Sequence, residues 1–171
     1  MGAPTVPYKA SLQKSLVGPA GEHHCLAQLL LRGYLATSAP PGTPEVDLLV
    51  LSPDGVTTAA TIQVKTRTRG PDKGWHMNKK HEAIVSERLF YAFVDFEQPD
   101  TPVYVIPSRA VADILTRAHA AWLAAPGKNG KAHRDHDMRR MIPVLPFTIE
   151  GFPNGWMETY RNAWGQITET G

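Results

Sequence analysis

Apolar positions along this chain fall into two periods, one helical and one alternating. In residues 21–32, Cys25, Leu26, Leu29 and Leu30 share a face with Glu22 at its edge, while His24, Gln28 and Arg32 share another. That is the signature of a helix with one buried stripe. Gly18-Pro19-Ala20-Gly21 reads as its entry and Gly33 as its stop. Three strand-like runs follow at residues 34–39, 46–52 and 61–67, the last two joined through Pro53-Asp54-Gly55 as a hairpin. Asn78 can cap a helix reaching to about residue 89, and two aromatic, β-branched runs at 89–96 and 102–107 read as further strands. Ser108 opens a second amphipathic helix to about residue 124, with Val111, Ile114, Leu115, Ala118 and Trp122 on one side. Residues 128–140 read as a polar, basic, mobile loop, and 155–164 as a short helix with Trp156, Tyr160 and Trp164 in one packing stripe.

The strand at 61–67 carries the most chemistry. Alternation puts Thr61, Gln63, Lys65 and Arg67 on one side and Ile62 and Val64 on the other. The hairpin brings Asp47, near the start of the preceding strand, beside Gln63 and Lys65. A carboxylate in so apolar a run is costly to bury unless paired or metal-bound, although at the strand's start solvation explains it equally well. Glu22 has a similar double reading, since an acid in a first helical turn is favoured by the helix dipole alone.

Composition narrows the class. The chain of 171 residues, 42% hydrophobic and 20% charged, suits a single folded domain over residues 1–171 and excludes wholesale disorder. One cysteine, Cys25, excludes an intramolecular disulfide and a cysteine-rich metal site and suits a reducing compartment. No secretory leader or membrane-length apolar run is visible, so a cytoplasmic protein without membrane attachment is expected. The net charge of +2 permits an anionic partner, and its cations are concentrated. Arg67, Arg69, Lys73, Lys79 and Lys80, with Trp75 among them, suit a nucleic acid whose bases could stack on the ring. A solvated charged face is the plainer alternative. His133, Asp135, His136 and Asp137 are conceivable metal ligands, but a second anion-contacting loop is the more modest reading. No Walker-type phosphate loop, Rossmann glycine pattern, nucleophile elbow or zinc-finger spacing occurs.

The succession of a helix with Glu22, a short strand, a strand with Asp47, a strand with Gln63-Val64-Lys65, a helix and a strand resembles the PD-(D/E)XK nuclease superfamily. The likeness spans about residues 18–107, with 108–171 left as a C-terminal helical extension. The Q-x-K form is similar to Mrr-type restriction endonucleases, and the helical glutamate to archaeal Holliday junction resolvases. The resemblance implies an α/β, restriction-endonuclease-like αβββαβ core with a mixed central sheet flanked by helices. It implies a Mg2+- or Mn2+-dependent endodeoxyribonuclease of restriction, recombination or repair type. Glu22, Asp47, Gln63 and Lys65 would be catalytic. Asp47, the Gln63 side-chain oxygen, the Val64 carbonyl and Glu22 would hold the metal, and Lys65 would orient or deprotonate the attacking water. DNA is the implied partner, with RNA left open, and cutting both strands favours a homodimer. Gln63 departs from the usual acid and removes one formal charge, which Glu22, or in reserve Glu45, could restore. The alternative is a non-catalytic, nuclease-like module that binds nucleic acid or a protein.

Overall fold

A computed structural model describes residues 14–68 and 74–167. Helix α1 (Lys14–Leu31) leads into β1 (Leu35–Ser38), β2 (Leu48–Leu51) and β3 (Thr58–Arg67). Then come β4 (Trp75–Asn78), β5 (Leu89–Asp95), β6 (Val103–Pro107), α2 (Ser108–Ala124) and β7 (Met138–Met141). The main sheet has the order β1-β2-β3-β5-β6, antiparallel except for the parallel pair β3·β5. It is therefore the expected mixed sheet flanked by helices.

Alternation sorts its two faces. Ile62, Val64, Phe90, Ala92, Val94, Val103 and Val105 pack with Cys25 and Leu29 of α1. Tyr91, Phe93, Tyr104 and Ile106 pack with Val111, Ile114 and Leu115 of α2. Every residue of β5 is buried, which explains why its sequence is a continuous apolar run rather than an alternating one. Among the described residues no helix is long and apolar enough to cross a membrane.

Four local expectations are corrected. First, α1 continues through Gly18 and Pro19 instead of starting there; the carbonyl that Pro19 crowds and leaves unpaired is that of Ser15, in the first described turn of the helix. Glu22 therefore lies beyond the first turn, out of reach of the dipole explanation.

Second, the connection from β3 to β5 contains β4 and a single 3-10 turn, Lys79–Glu82, in place of a helix to residue 89. Asn78 does cap that turn, its Oδ1 accepting from the Lys80 N–H at 3.0 Å. Helix cannot propagate beyond it, because the Ser86 N–H donates to Ser108 Oγ at 2.9 Å and the Ser86 carbonyl accepts from that same hydroxyl at 2.8 Å. Ser108 is thus committed to a distant loop and makes no cap for α2.

Third, residues 138–141 are a strand, paired antiparallel with β4 as a separate two-stranded sheet. Arg139 occupies a buried position there, its guanidinium bonded to the Glu82 carboxylate and to the carbonyls of His136 and Met138. The segment before it is also pinned. His119 Nε2 lies 2.8 Å from Asp135 Oδ1, and the Trp122 and His133 rings meet at a tilt of 30° with centroids 4.0 Å apart.

Fourth, the C-terminal segment forms two 3-10 turns, Trp156–Tyr160 and Trp164–Ile167, on opposite sides of the sheet. Between them the chain crosses the β6 edge, where the Asn162 N–H donates to the Val103 carbonyl at 2.7 Å and Asn162 Oδ1 accepts from the Val103 N–H at 3.1 Å. Trp156 and Trp164 consequently belong to different cores and form no common stripe.

Candidate active site

Asp47 sits where β2 and β3 separate. Its N–H donates to the Ile62 carbonyl at 2.9 Å, and its own carbonyl accepts from the Ala39 N–H at 2.8 Å. The paired register of β2 ends at Leu48↔Ile62, so the next stretch of the β3 edge lacks a strand neighbour on that side. The Asp47 carboxylate fills the gap, with Oδ2 accepting from the Val64 N–H at 2.7 Å. In an extended strand a residue's N–H and C=O face the same edge, so the Val64 carbonyl is turned to this opening as well.

Gln63 projects from the face opposite Ile62 and Val64 and is only 7% exposed. Its Nε2 donates to Glu45 Oε2 at 3.0 Å, whereas its Oε1 is buried without a hydrogen-bond partner among the described residues. Buried carbonyl oxygens are normally satisfied, and an unsatisfied one beside a carboxylate fits an acceptor set meant for a cation. Glu45 also takes the Lys80 ammonium on Oε1. Burial alone would push the Glu45 carboxyl up, but hydrogen bonds from Lys80 and Gln63 hold it below the usual carboxylate range. His81 stands 3.8 Å from Glu45 Oε2, and its Nδ1 meets the Tyr91 hydroxyl at 2.9 Å. Burial, and then the Lys65 charge, lower His81 to about 4, so its ring is neutral at physiological pH.

Lys65 shares the face of Gln63. Burial depresses its ammonium pKa, and the charges of Asp47 and Glu45 only partly oppose that effect. Glu22 arrives from the α1 side. Its carboxyl is raised by burial first and by the Asp47 charge second. The Asp47 charge is thus felt both by Glu22, on the α1 side, and by Lys65. Among the described residues no three His, Cys, Asp or Glu side chains gather as a metal site. A hard cation that keeps several waters needs only one or two carboxylates, so an acid, an amide oxygen and a backbone carbonyl remain a sufficient set.

Gly21 seats α1 on β3 at this point. A Cβ there would lie 1.8 Å from Thr66 Oγ1. Gly21→Ala is expected to lower stability by about 1–3 kcal/mol through overpacking. Thermal unfolding should show most of that loss recovered in Gly21→Ala/Thr66→Ala, where the clashing hydroxyl is gone.

The proposed DNA-binding residues divide. Trp75 is buried, donates Nε1–H to the Val94 carbonyl at 2.9 Å and packs edge-on against Phe93 and Tyr104, so it offers no ring to a base. Arg67 forks onto Asp95 at 2.9 and 2.6 Å and lies 4.1 Å above the Trp75 ring. Its guanidinium is committed to the fold instead of a phosphate. Lys79, 3.7 Å from Asp135, and Lys80, on Glu45, keep about half their side-chain surface in solvent. Arg69 and Lys73 lie outside the described residues. Around Glu45, His81 and Tyr91 were not singled out by sequence, and Lys80 was expected on nucleic acid rather than on this carboxylate. Glu45 itself was signalled only by its two-residue offset from Asp47.

No family model and no curated protein sequence matches this chain. Its fold has a solved counterpart. The structure of a bacterial homing endonuclease, I-Ssp6803I, matches with a TM-score of 0.50 at 15% identity, covering 93% of this chain and 94% of that one. At this identity the similarity is one of fold. Its extent reaches well beyond residues 18–107, so much of the C-terminal region belongs to the shared architecture.

Proposed function

We propose that this chain is a metal-dependent endonuclease hydrolysing DNA phosphodiester bonds. The carrying observation is a buried Gln63 Oε1 with no hydrogen-bond partner among the described residues, on a strand whose next residue, Val64, gives its N–H to the Asp47 carboxylate, with a half-buried lysine two residues along the same strand face. Asp47, Gln63 Oε1 and the Val64 carbonyl would hold magnesium or manganese, and Glu22 would add charge directly or through water. When bound, such a cation lowers the pKa of its water and offsets charge on the phosphate. Lys65 holds the attacking water at Nζ and, with its pKa depressed by burial, is a better proton acceptor near neutrality than a free lysine. Lys80, on the Glu45 carboxylate that also holds Gln63, and its chain neighbour Lys79 keep about half their side-chain surface in solvent and suit a phosphate backbone. The shared fold with a homing endonuclease supports DNA as substrate, and cleaving both strands with one site per chain calls for a second copy.

The test is cleavage of supercoiled plasmid by the purified chain with magnesium or manganese. Chelation should abolish it, and Lys65→Ala should slow it by about 10²–10⁴-fold. Because the Lys65 pKa is lowered, the wild-type rate should climb as pH rises and the amine loses its proton; Lys65→Arg should lose that climb. Salt-sensitive DNA binding with no cleavage under either metal would favour the non-catalytic module instead. That module has fewer contacts to draw on, since Arg67 and Trp75 are engaged inside the fold.

A further inference from the structure

We propose that Glu45 is a positioning residue whose carboxylate orients the Gln63 amide so that Oε1, and not Nε2, faces the cation opening. The inference rests on the nuclease reading above. A carboxylate at position 63 would present an oxygen whichever way it turned. A carboxamide has two ends of nearly equal size and opposite function, one accepting and one donating. Only the oxygen end can meet a cation, so an amide in this place needs a partner that selects its orientation.

Glu45 has that geometry. Its Oε2 accepts from Gln63 Nε2 at 3.0 Å, and reversing the amide would set an oxygen against a carboxylate in a buried site. Glu45 is itself fixed. Its φ of +58° places a non-glycine residue in the left-handed region, a backbone cost the fold bears at this position. Lys80 occupies Oε1 and leaves Oε2 for Gln63. The nearby His81 ring, at 3.8 Å, is turned to the Tyr91 hydroxyl and does not compete. The sequence feature that weakens the site, an amide in place of an acid, is thus matched by a second acid that determines which amide atom is presented.

The experiment is Mn2+ titration of the full chain, followed by electron paramagnetic resonance of the free ion, so that no cleavage is needed. E45Q, close in shape to the natural residue, keeps one side-chain oxygen, which the Lys80 ammonium retains, and turns its NH2 toward Gln63, so it should weaken Mn2+ binding by about tenfold, as loss of an orienting partner does at metal sites. The same substitution in a Q63E background should cost less than about twofold, because a carboxylate at 63 has no wrong end. Equal losses in the two backgrounds would overturn the proposal, showing that Glu45 contributes only charge or holds Lys80. D47N separates the two levels. If it leaves Mn2+ binding intact, the cation is elsewhere and the nuclease reading falls too; if it abolishes binding while E45Q has no effect, only the role of Glu45 is refuted.

Discussion

Asp47→Asn is expected to bring DNA cleavage down to the uncatalysed background while the protein stays folded. The two roles of this side chain are separable. Its Oδ2 accepts the Val64 N–H, and asparagine keeps an oxygen that can do the same. What asparagine lacks is the formal charge, and with Gln63 already neutral the strand pair would then offer a divalent ion no carboxylate of its own. Asp47→Ala removes both functions. It should lose cleavage and also about 1–3 kcal/mol of stability, because a partly buried N–H is left without a partner. Plasmid cleavage and thermal unfolding of both variants make the comparison. Wild-type cleavage by the asparagine variant would show that the ion is not held at Asp47.

The largest effect on stability is expected at Arg67. Asp95 is fully buried, and Arg67→Ala would leave its carboxylate, among the described residues, with the Glu97 N–H and the Gln98 amide as donors. Removing one member of such a pair costs about 3–5 kcal/mol, and the Trp75 ring also loses the cation above it. Urea unfolding should report this loss, whereas DNA affinity of the folded fraction should change little. The pH dependence has a definite sign. Burial pushes the Asp95 carboxyl up, but Arg67, Gln98 and the Glu97 N–H together hold it below the usual carboxylate value. A folded-state pKa below the unfolded one gives stability that is complete above the unfolded value and lost as pH falls through the folded one. Wild type should therefore weaken on the acid side of the normal carboxylate range, and Arg67→Ala should weaken less there.

The parts of the fold that were legible in the sequence are those governed by near neighbours. The alternation of residues 61–67, the unbroken apolar run of β5 and the stripe of α1 each follow from whether one or two faces are covered. Asp47, Gln63 and Lys65 could be grouped because a hairpin fixes which residues meet. The misread segments depend on partners remote in the chain. Arg139 looks like a loop cation until Glu82, on the other side of a strand pair, is known to receive it. Arg67 and Trp75 look like a nucleic-acid surface until Asp95 and the Val94 carbonyl claim them. The helix expected after Asn78 fails because Ser108 satisfies the Ser86 backbone from outside. Glu45 was visible only as a reserve acid, since its left-handed backbone and its grip on the Gln63 amide arise from the turn before β2 and not from periodicity.

The segment that crosses the β6 edge bears on the order in which the fold can close. Trp164 and Ile167 close the same apolar layer as Cys25 and Leu29, the Trp164 carbonyl accepts the Tyr34 hydroxyl at 2.9 Å, and Arg32 lies 5.5 Å from the Trp164 ring. The helix made early in synthesis is thus clamped by residues made late. Until residues 164–167 have left the ribosome, a nascent chain lacks the part of the apolar layer that covers Cys25 and Leu29 from this side.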